Sequence, residues 1–373
     1  MVDSVFFRKG PSNLSPQHFL NRTVSIVEIT SANQQVLAPD APRTLQLTQI
    51  PGATLEVYVK KFDVCDGDKV DCREVDQNGK DCVYEMPPYC LAQVPDVRTN
   101  IKTYIHRERD RYLNLLLAES SSSQPMEGTE SITQLTVKVA LAYAEKRPES
   151  VVSMALDMWA YCRVIEREWT ICGEDTLGLS KVKDPSSPWH KFIPITPIMD
   201  VQLDQIVIKD ILDPLRQKLI LSLEDLIKQH VPKNWFDCYL TMYILLNHIE
   251  WSCTHGNKFS KRYGMNRRYS DMRLAEAWFH TSKILLSRFH FWSNGSDPFK
   301  VNWKKPEEVK FAQLDKHQIR FMQQLQKIVK EKELHFKELR DRHYYEKDLY
   351  WTHQLFSPEW HPGLPHIVEE TPA

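Results

Sequence analysis

The sequence predicts a mainly α fold: a large helical domain with a small N-terminal antiparallel β-hairpin subdomain. Three observations predict it. From about residue 95, Val97, Ile101, Tyr104, Ile105, Tyr112, Leu115 and Leu116 recur at a 3.6-residue period. Ahead of them, Leu55–Val64 alternates in part and is rich in β-formers, and an Asn78-Gly79 pair then separates two short β-prone runs. The composition, 42% hydrophobic with ten tryptophans in 373 residues, suffices for a sizeable core.

Taken in order, residues 1–50 hold several prolines and few periodic runs and read as an irregular lead-in. Residues 51–92 form the β-hairpin subdomain. Its first strand is Leu55–Val64, and Val70–Val75 and Cys82–Met86 flank the turn, where Asn78 and Gly79 tolerate positive φ. Met86-Pro87-Pro88 ends the sheet, because proline cannot donate to a ladder. Residues 93–362 form the helical domain, and 363–373 are a tail. Ser120–Ser123 and the following Gln-Pro-Met-Glu-Gly make a loop after the first helix. Ile132–Glu145 and Ser150–Trp169 are the next helices, separated by Pro148. Cys172–Asp200, with glycines at 173 and 178 and four prolines, reads as extended chain crossing the helical core.

Helix resumes over Val201–Ile211. Asp213 then caps another helix with Pro214 in its first turn, and Leu215, Leu219, Leu223, Leu226 and Ile227 form its apolar stripe. Asn234–Trp251 is apolar on most sides and is expected to be the central buried helix. Asp271–Trp292 follows, stopped by Asn294-Gly295. The last element is a long C-terminal helix over 315–356, about 60 Å if continuous. Asp315 and Gln318 resemble a capping box at its start. Met322, Leu325, Val329, Phe336 and Leu339 follow heptad spacing, interrupted by Lys332, so a dimer through this helix is one expectation.

The net charge of −1 gives no global pull toward nucleic acid, whose binding domains are usually clearly basic. The N-terminal MVDSVFFRKG lacks the pattern of a signal peptide, and Tyr239–Leu246 is too short to span a bilayer. A nuclear or cytoplasmic location without membrane contact is expected. The eight cysteines are expected to be free thiols, with Cys162, Cys172, Cys238 and Cys253 buried among apolar neighbours.

Cys65, Cys72, Cys82 and Cys90 contain no C-x₂₋₄-C knuckle of the kind that turns two ligands onto one zinc. His248, Glu250, Cys253 and His255 cluster, but a helix sends His248 and Cys253 to different faces and Glu250 to neither. No nucleophile elbow, dinucleotide fingerprint or Walker loop occurs. No catalytic, cofactor or metal residue is therefore assigned. One basic concentration stands out: Lys258, Lys261, Arg262, Arg267, Arg268 and Arg273, interleaved with aromatics. It suits a nucleic-acid contact or a nuclear import signal, and its plainer reading is a solvated loop between two helices.

Several strings carry a family resemblance. They are Glu85-Met-Pro-Pro-Tyr-Cys-Leu91, Trp169-Thr-Ile-Cys-Gly173 with Glu174-Asp-Thr-Leu-Gly178, Pro194-Ile-Thr-Pro-Ile-Met-Asp200, Gln202-Leu-Asp-Gln-Ile-Val-Ile208, Arg262-Tyr-Gly264, and Tyr345-Glu-Lys-Asp-Leu-Tyr-Trp-Thr-His-Gln-Leu-Phe356. From about residue 45 to residue 362 the chain resembles the C-terminal regulatory regions of fungal zinc-finger and binuclear zinc-cluster transcription factors. The resemblance implies a transcriptional regulator or co-regulator in the nucleus. A binuclear zinc cluster needs paired C-x₂-C knuckles, and residues 1–64 hold no cysteine. Three readings follow from that departure: a truncated form of a longer zinc-cluster protein, a co-regulator that reaches DNA through a DNA-bound protein partner, or a relic. The alternative is a helical ligand-binding or enzymatic domain with an aromatic pocket. Trp169, Trp351 and Trp360 read as core or docking aromatics.

Overall fold

In the computed structural model, residues 42–361 are described except 66–67, 69, 76–79, 121–130, 188, 263–264, 266–267, 270, 294–295, 346 and 358–359. The first element is a strand where the sequence suggested a lead-in. In β1 (Arg43–Ile50), Leu45 and Leu47 are buried while Thr44 and Gln46 face solvent, so successive side chains take opposite faces. β1 pairs antiparallel with β2 (Ala53–Lys61), Leu45 opposite Val57 and Leu47 opposite Leu55. Gly52, at φ +78, closes the turn behind Pro51, a backbone conformation that costs glycine little.

Tyr89–Ala92, directly after Pro87-Pro88, is a further strand, β5, on the free edge of β2. The prolines therefore separate strands rather than end the sheet. Thr170–Ile171 (β6) pairs with Leu47 and Thr48 and completes the order β5-β2-β1-β6. The expected hairpin is a separate two-stranded ribbon of β3 (Asp71–Val75) and β4 (Asp81–Glu85), registered Asp71 to Glu85 and Val75 to Asp81. Its Asn78-Gly79 turn lies outside the described residues, as do residues 1–41, the linker over 121–128 and the tail.

Helices cover one face of the sheet. α1 (Val94–Ser120) lays Val97, Ile101, Tyr104 and Ile105 in the core beside β2, each fully buried aliphatic contributing about 1.5–3 kcal/mol. α2 (Ile132–Glu145) starts at a capping box in which Ser131 and Gln134 satisfy each other's backbone N–H. α3 (Val151–Glu166) is buried on nearly every side, between α1, α2 and α6 (Trp235–Arg262). The middle of α6, from Trp235 to Cys253, is the centre of the core, and one continuous apolar cluster runs from Leu45 to Phe356. α7 (Met272–Trp292) packs along α6.

The 197–229 stretch corrects the expected break at residue 213. α4 (Pro197–Val207), capped by Thr196, continues through a π-turn at Ile208–Leu212 into α5 (Asp213–Gln229). Asp213 is helical and donates its own N–H five residues back to Ile208. Its carboxylate accepts from Arg216 Nη2 at 3.2 Å instead of capping. Pro214 has no N–H to give, and the wider π-turn accommodates it without ending the helix.

The C-terminal helix over 315–356 is also corrected. The capping box of Asp315 and Gln318 is present and starts α8 (Lys316–Glu331). The helix is interrupted at Lys332 (φ −97, ψ 7), resumes as α9 (Glu333–Asp341), and ends; His343 and Leu349 then take positive φ and turn the chain back. A short 3₁₀ helix follows at Thr352–Phe356. Of the heptad residues, Met322, Leu325, Phe336 and Leu339 are buried in this chain's own core, and Val329 is half-buried against it.

Candidate functional site

The basic stretch is not a loop at its start. α6 runs eleven residues beyond the expected Trp251 and ends at Arg262, which places Lys258 and Lys261, both exposed, in its last turns. Cations there are favoured by the helix dipole, a structural reason for them that needs no ligand. The side chain of Arg262 and all of Arg267 lie outside the described residues. Arg268 is half-buried, its guanidinium 5.9 Å from the Tyr269 ring and 5.5 Å from the Tyr345 ring. Asn257 Nδ2 donates to the Arg268 carbonyl at 3.2 Å, tying the stretch back onto α6. Arg273 is exposed in the first turn of α7, next to the capping Asp271. The four described side chains, Lys258, Lys261, Arg268 and Arg273, thus divide between a helix end, a packed turn and the next helix start.

The other tempting cluster scatters. His248 is buried, and its Nδ1 lies 3.0 Å from Arg163 Nη2. A guanidinium only donates, so Nδ1 accepts and the imidazole is neutral. Burial, and then the Arg163 charge, hold its pKa well below the usual imidazole range. Arg163 also pairs with Glu166, which accepts from Trp251 Nε1 at 2.7 Å. This network joins the end of α3 to α6 inside the core. Glu250 turns instead toward the C-terminal segment, and Cys253 is buried. Of the four cysteines expected to be buried, Cys172 is exposed, because it follows the short edge strand β6. Trp169 and Trp351 lie in the core, and Trp360 stacks on His290 at 5.1 Å.

A concave feature of the described residues is a cleft of about 1510 Å³. It is bounded by the β1–β2 turn, Asp71–Arg73 of β3, the 165–172 segment, the 189–204 segment and the end of α6, where His255 and Lys258 line it. Trp169 and Trp189 back it from the core, and Phe192, 54% exposed, supplies its accessible aromatic surface. Asp200 and Asp204, one turn apart on one face of α4, supply carboxylates. Sequence reasoning missed this pair. The available signal was two acids at i and i+4 in a helix that carries no basic residue to offset them.

Both carboxyls sit deep in the fold yet keep part of their surface open to the cleft. Burial, and then the charge of Glu168, push Asp200 up to about 7; burial, and then Asp200, raise Asp204. A carboxyl with a raised folded pKa keeps its proton where the unfolded chain, titrating near ~4, has lost it. The folded state therefore binds more protons between ~4 and about 7, and this contribution to stability falls as pH rises through that window. The expected result is that Asp200→Asn with Asp204→Asn raises the urea midpoint at pH 7.5 and has little effect at pH 4. An equal shift at both pH values would refute this account.

A family model described as KpeA transcription factor matches residues 7–355. The chain is 26% identical over 241 residues to the satratoxin biosynthesis SC3 cluster transcription factor SAT20 of Stachybotrys chartarum. That alignment covers 61% of this chain and 34% of the relative, so the chain spans about a third of the relative's length. No solved structure matches the chain.

Proposed function

We propose, from the premise that this chain belongs to the KpeA transcription factor family, that it regulates transcription in the nucleus through contact with a DNA-bound protein partner. That it is a transcriptional regulator follows from the family. The partner-mediated route, the nuclear location and the absence of a catalytic role are our reading. The observation that carries it is that the family match, residues 7–355, takes in nearly all of the described core, from β1 to Leu355 in the 3₁₀ helix. What the family shares thus includes an extensive helical body. Its basic residues are divided among separate elements, and the chain's net charge is −1, whereas a module that reads DNA alone presents a concentrated basic face. No helix among the described residues is long and apolar enough to cross a membrane.

The test is chromatin occupancy of the tagged full-length protein in its own organism, repeated with the exposed Lys258, Lys261 and Arg273 changed to Gln and a strong import signal fused to both forms. Discrete promoter peaks that survive neutralisation are expected. Peaks lost with the three charges, while the protein stays nuclear and folded, would assign DNA contact to this stretch instead. An absence of peaks with the protein well expressed would overturn the reading.

A further inference from the structure

We propose that the cleft beside α4 is a binding site for a small organic cation, an amine carried on an aromatic or apolar body, anchored by Asp200 and Asp204 with its body against the exposed Phe192. The helical spacing aims both carboxylates into the same cleft. Among the described residues neither carboxylate receives an ion pair or a side-chain hydrogen bond. The charges that act on them are acidic ones, Glu168 and each other, although Arg73, Arg167 and Lys258 line other parts of the same cleft. Two carboxyls so deep without a compensating cation are costly to ionise, and such groups concentrate at functional sites.

The chemistry of the walls selects the ligand. An ammonium supplies the missing positive charge, and the exposed ring of Phe192 can attract a cation and cover an apolar body. Phe192, more than half exposed at the rim, offers apolar surface that nothing in the described fold covers. An anion would meet the acid pair. A metal ion is a poorer match, since no group of three or more His, Cys, Asp or Glu among the described residues is disposed to hold one. The cleft, about 1510 Å³, exceeds the ~300–1,000 Å³ of ordinary small-molecule pockets, so the acid pair anchors one end of a ligand that leaves room for water or a longer body. The assignment concerns binding by the isolated chain and stands apart from any role at promoters.

Isothermal titration calorimetry at pH 7.5 on the full chain, with phenethylamine and its uncharged counterpart 2-phenylethanol, tests it. The amine is expected to bind at least about tenfold more tightly. Asp200→Asn with Asp204→Asn is expected to reduce the amine to the level of the alcohol while leaving the alcohol unchanged. Circular dichroism confirms folding of the variant, and Phe192→Ala weakens both probes. Equal affinity for the two probes in the parent chain, no saturable amine binding at millimolar concentration, or discrimination that survives in the double variant would each overturn the proposal.

Discussion

Glu250→Ala is expected to destabilise the fold by about 3–5 kcal/mol and to release the C-terminal segment first. Glu250 is 3% exposed in the middle of α6. Its Oε1 accepts the backbone N–H of Trp351 at 2.6 Å, that of Thr352 at 2.7 Å and the Thr352 hydroxyl at 3.0 Å. Its Oε2 accepts from Leu349 N at 3.2 Å and Asn247 Nδ2 at 3.0 Å. Removing the side chain strands these donors away from water. Asn247 Nδ2 also lies 3.4 Å from Asp348 Oδ1, so the two acids share one amide.

Burial, and then the Asp348 charge, push Glu250 up to about 8, and the donors from Thr352 and Trp351 oppose that rise. The two acids therefore titrate as a coupled pair, a role a lone glutamine fills only in part. Glu250→Gln keeps one acceptor oxygen but turns an amide toward the donors on the other side, and falls between parent and Ala. Hydrogen exchange checks the mechanism: the amides of Trp351 and Thr352 should lose protection in Glu250→Ala before those of α3. Uniform loss across both would mean that Glu250 supports the core at large rather than this segment.

Trp235→Ala is the second large effect, about 3–5 kcal/mol by loss of buried area and the cavity left behind. Trp235 is fully buried and stacks on Tyr239 at 5.6 Å with planes 6° apart. Phe289, Trp303 and Phe311 surround it at 6.0, 5.7 and 5.4 Å. These rings come from α6, α7 and the turns after α7, so the indole joins three parts of the chain. Its Nε1 donates to Ser293 Oγ at 3.4 Å, and the substitution strands that hydroxyl too. Urea denaturation with Leu334→Ala as the control reads the difference, because Leu334 is 84% exposed and its loss should stay within about 0.5 kcal/mol. Similar midpoints for the two variants would mean that the core refills around residue 235.

The mainly α fold with a small antiparallel β portion was legible in the sequence, and the resemblance to transcription regulators agrees with the family. The helices were readable because their apolar residues repeat locally: Ile132–Glu145 was read with its observed bounds, and the box of Asp315 and Gln318 lies within four residues. The strands β1, β5 and β6 were not readable. Each is short or flanked by proline, and each is held by partners elsewhere in the chain, as when Leu47 meets Ile171. The cleft was out of reach for the same reason, since its lining comes from five stretches between residues 48 and 259.

What the sequence determined by itself was the set of faces: which residues of each helix point inward, where glycine or a cap sets an end, and that no familiar catalytic motif is spelled out. Those are properties of neighbours within a turn or two. What the tertiary structure decided was how the segment after the last helix is held and where Asp200 and Asp204 open onto one cleft. Leu349, Trp351 and Thr352 are held against α6 because their N–H groups meet a carboxylate about a hundred residues earlier, at separations of 99 to 102. A contact of that range is fixed only when the whole core closes, and no local pattern records it.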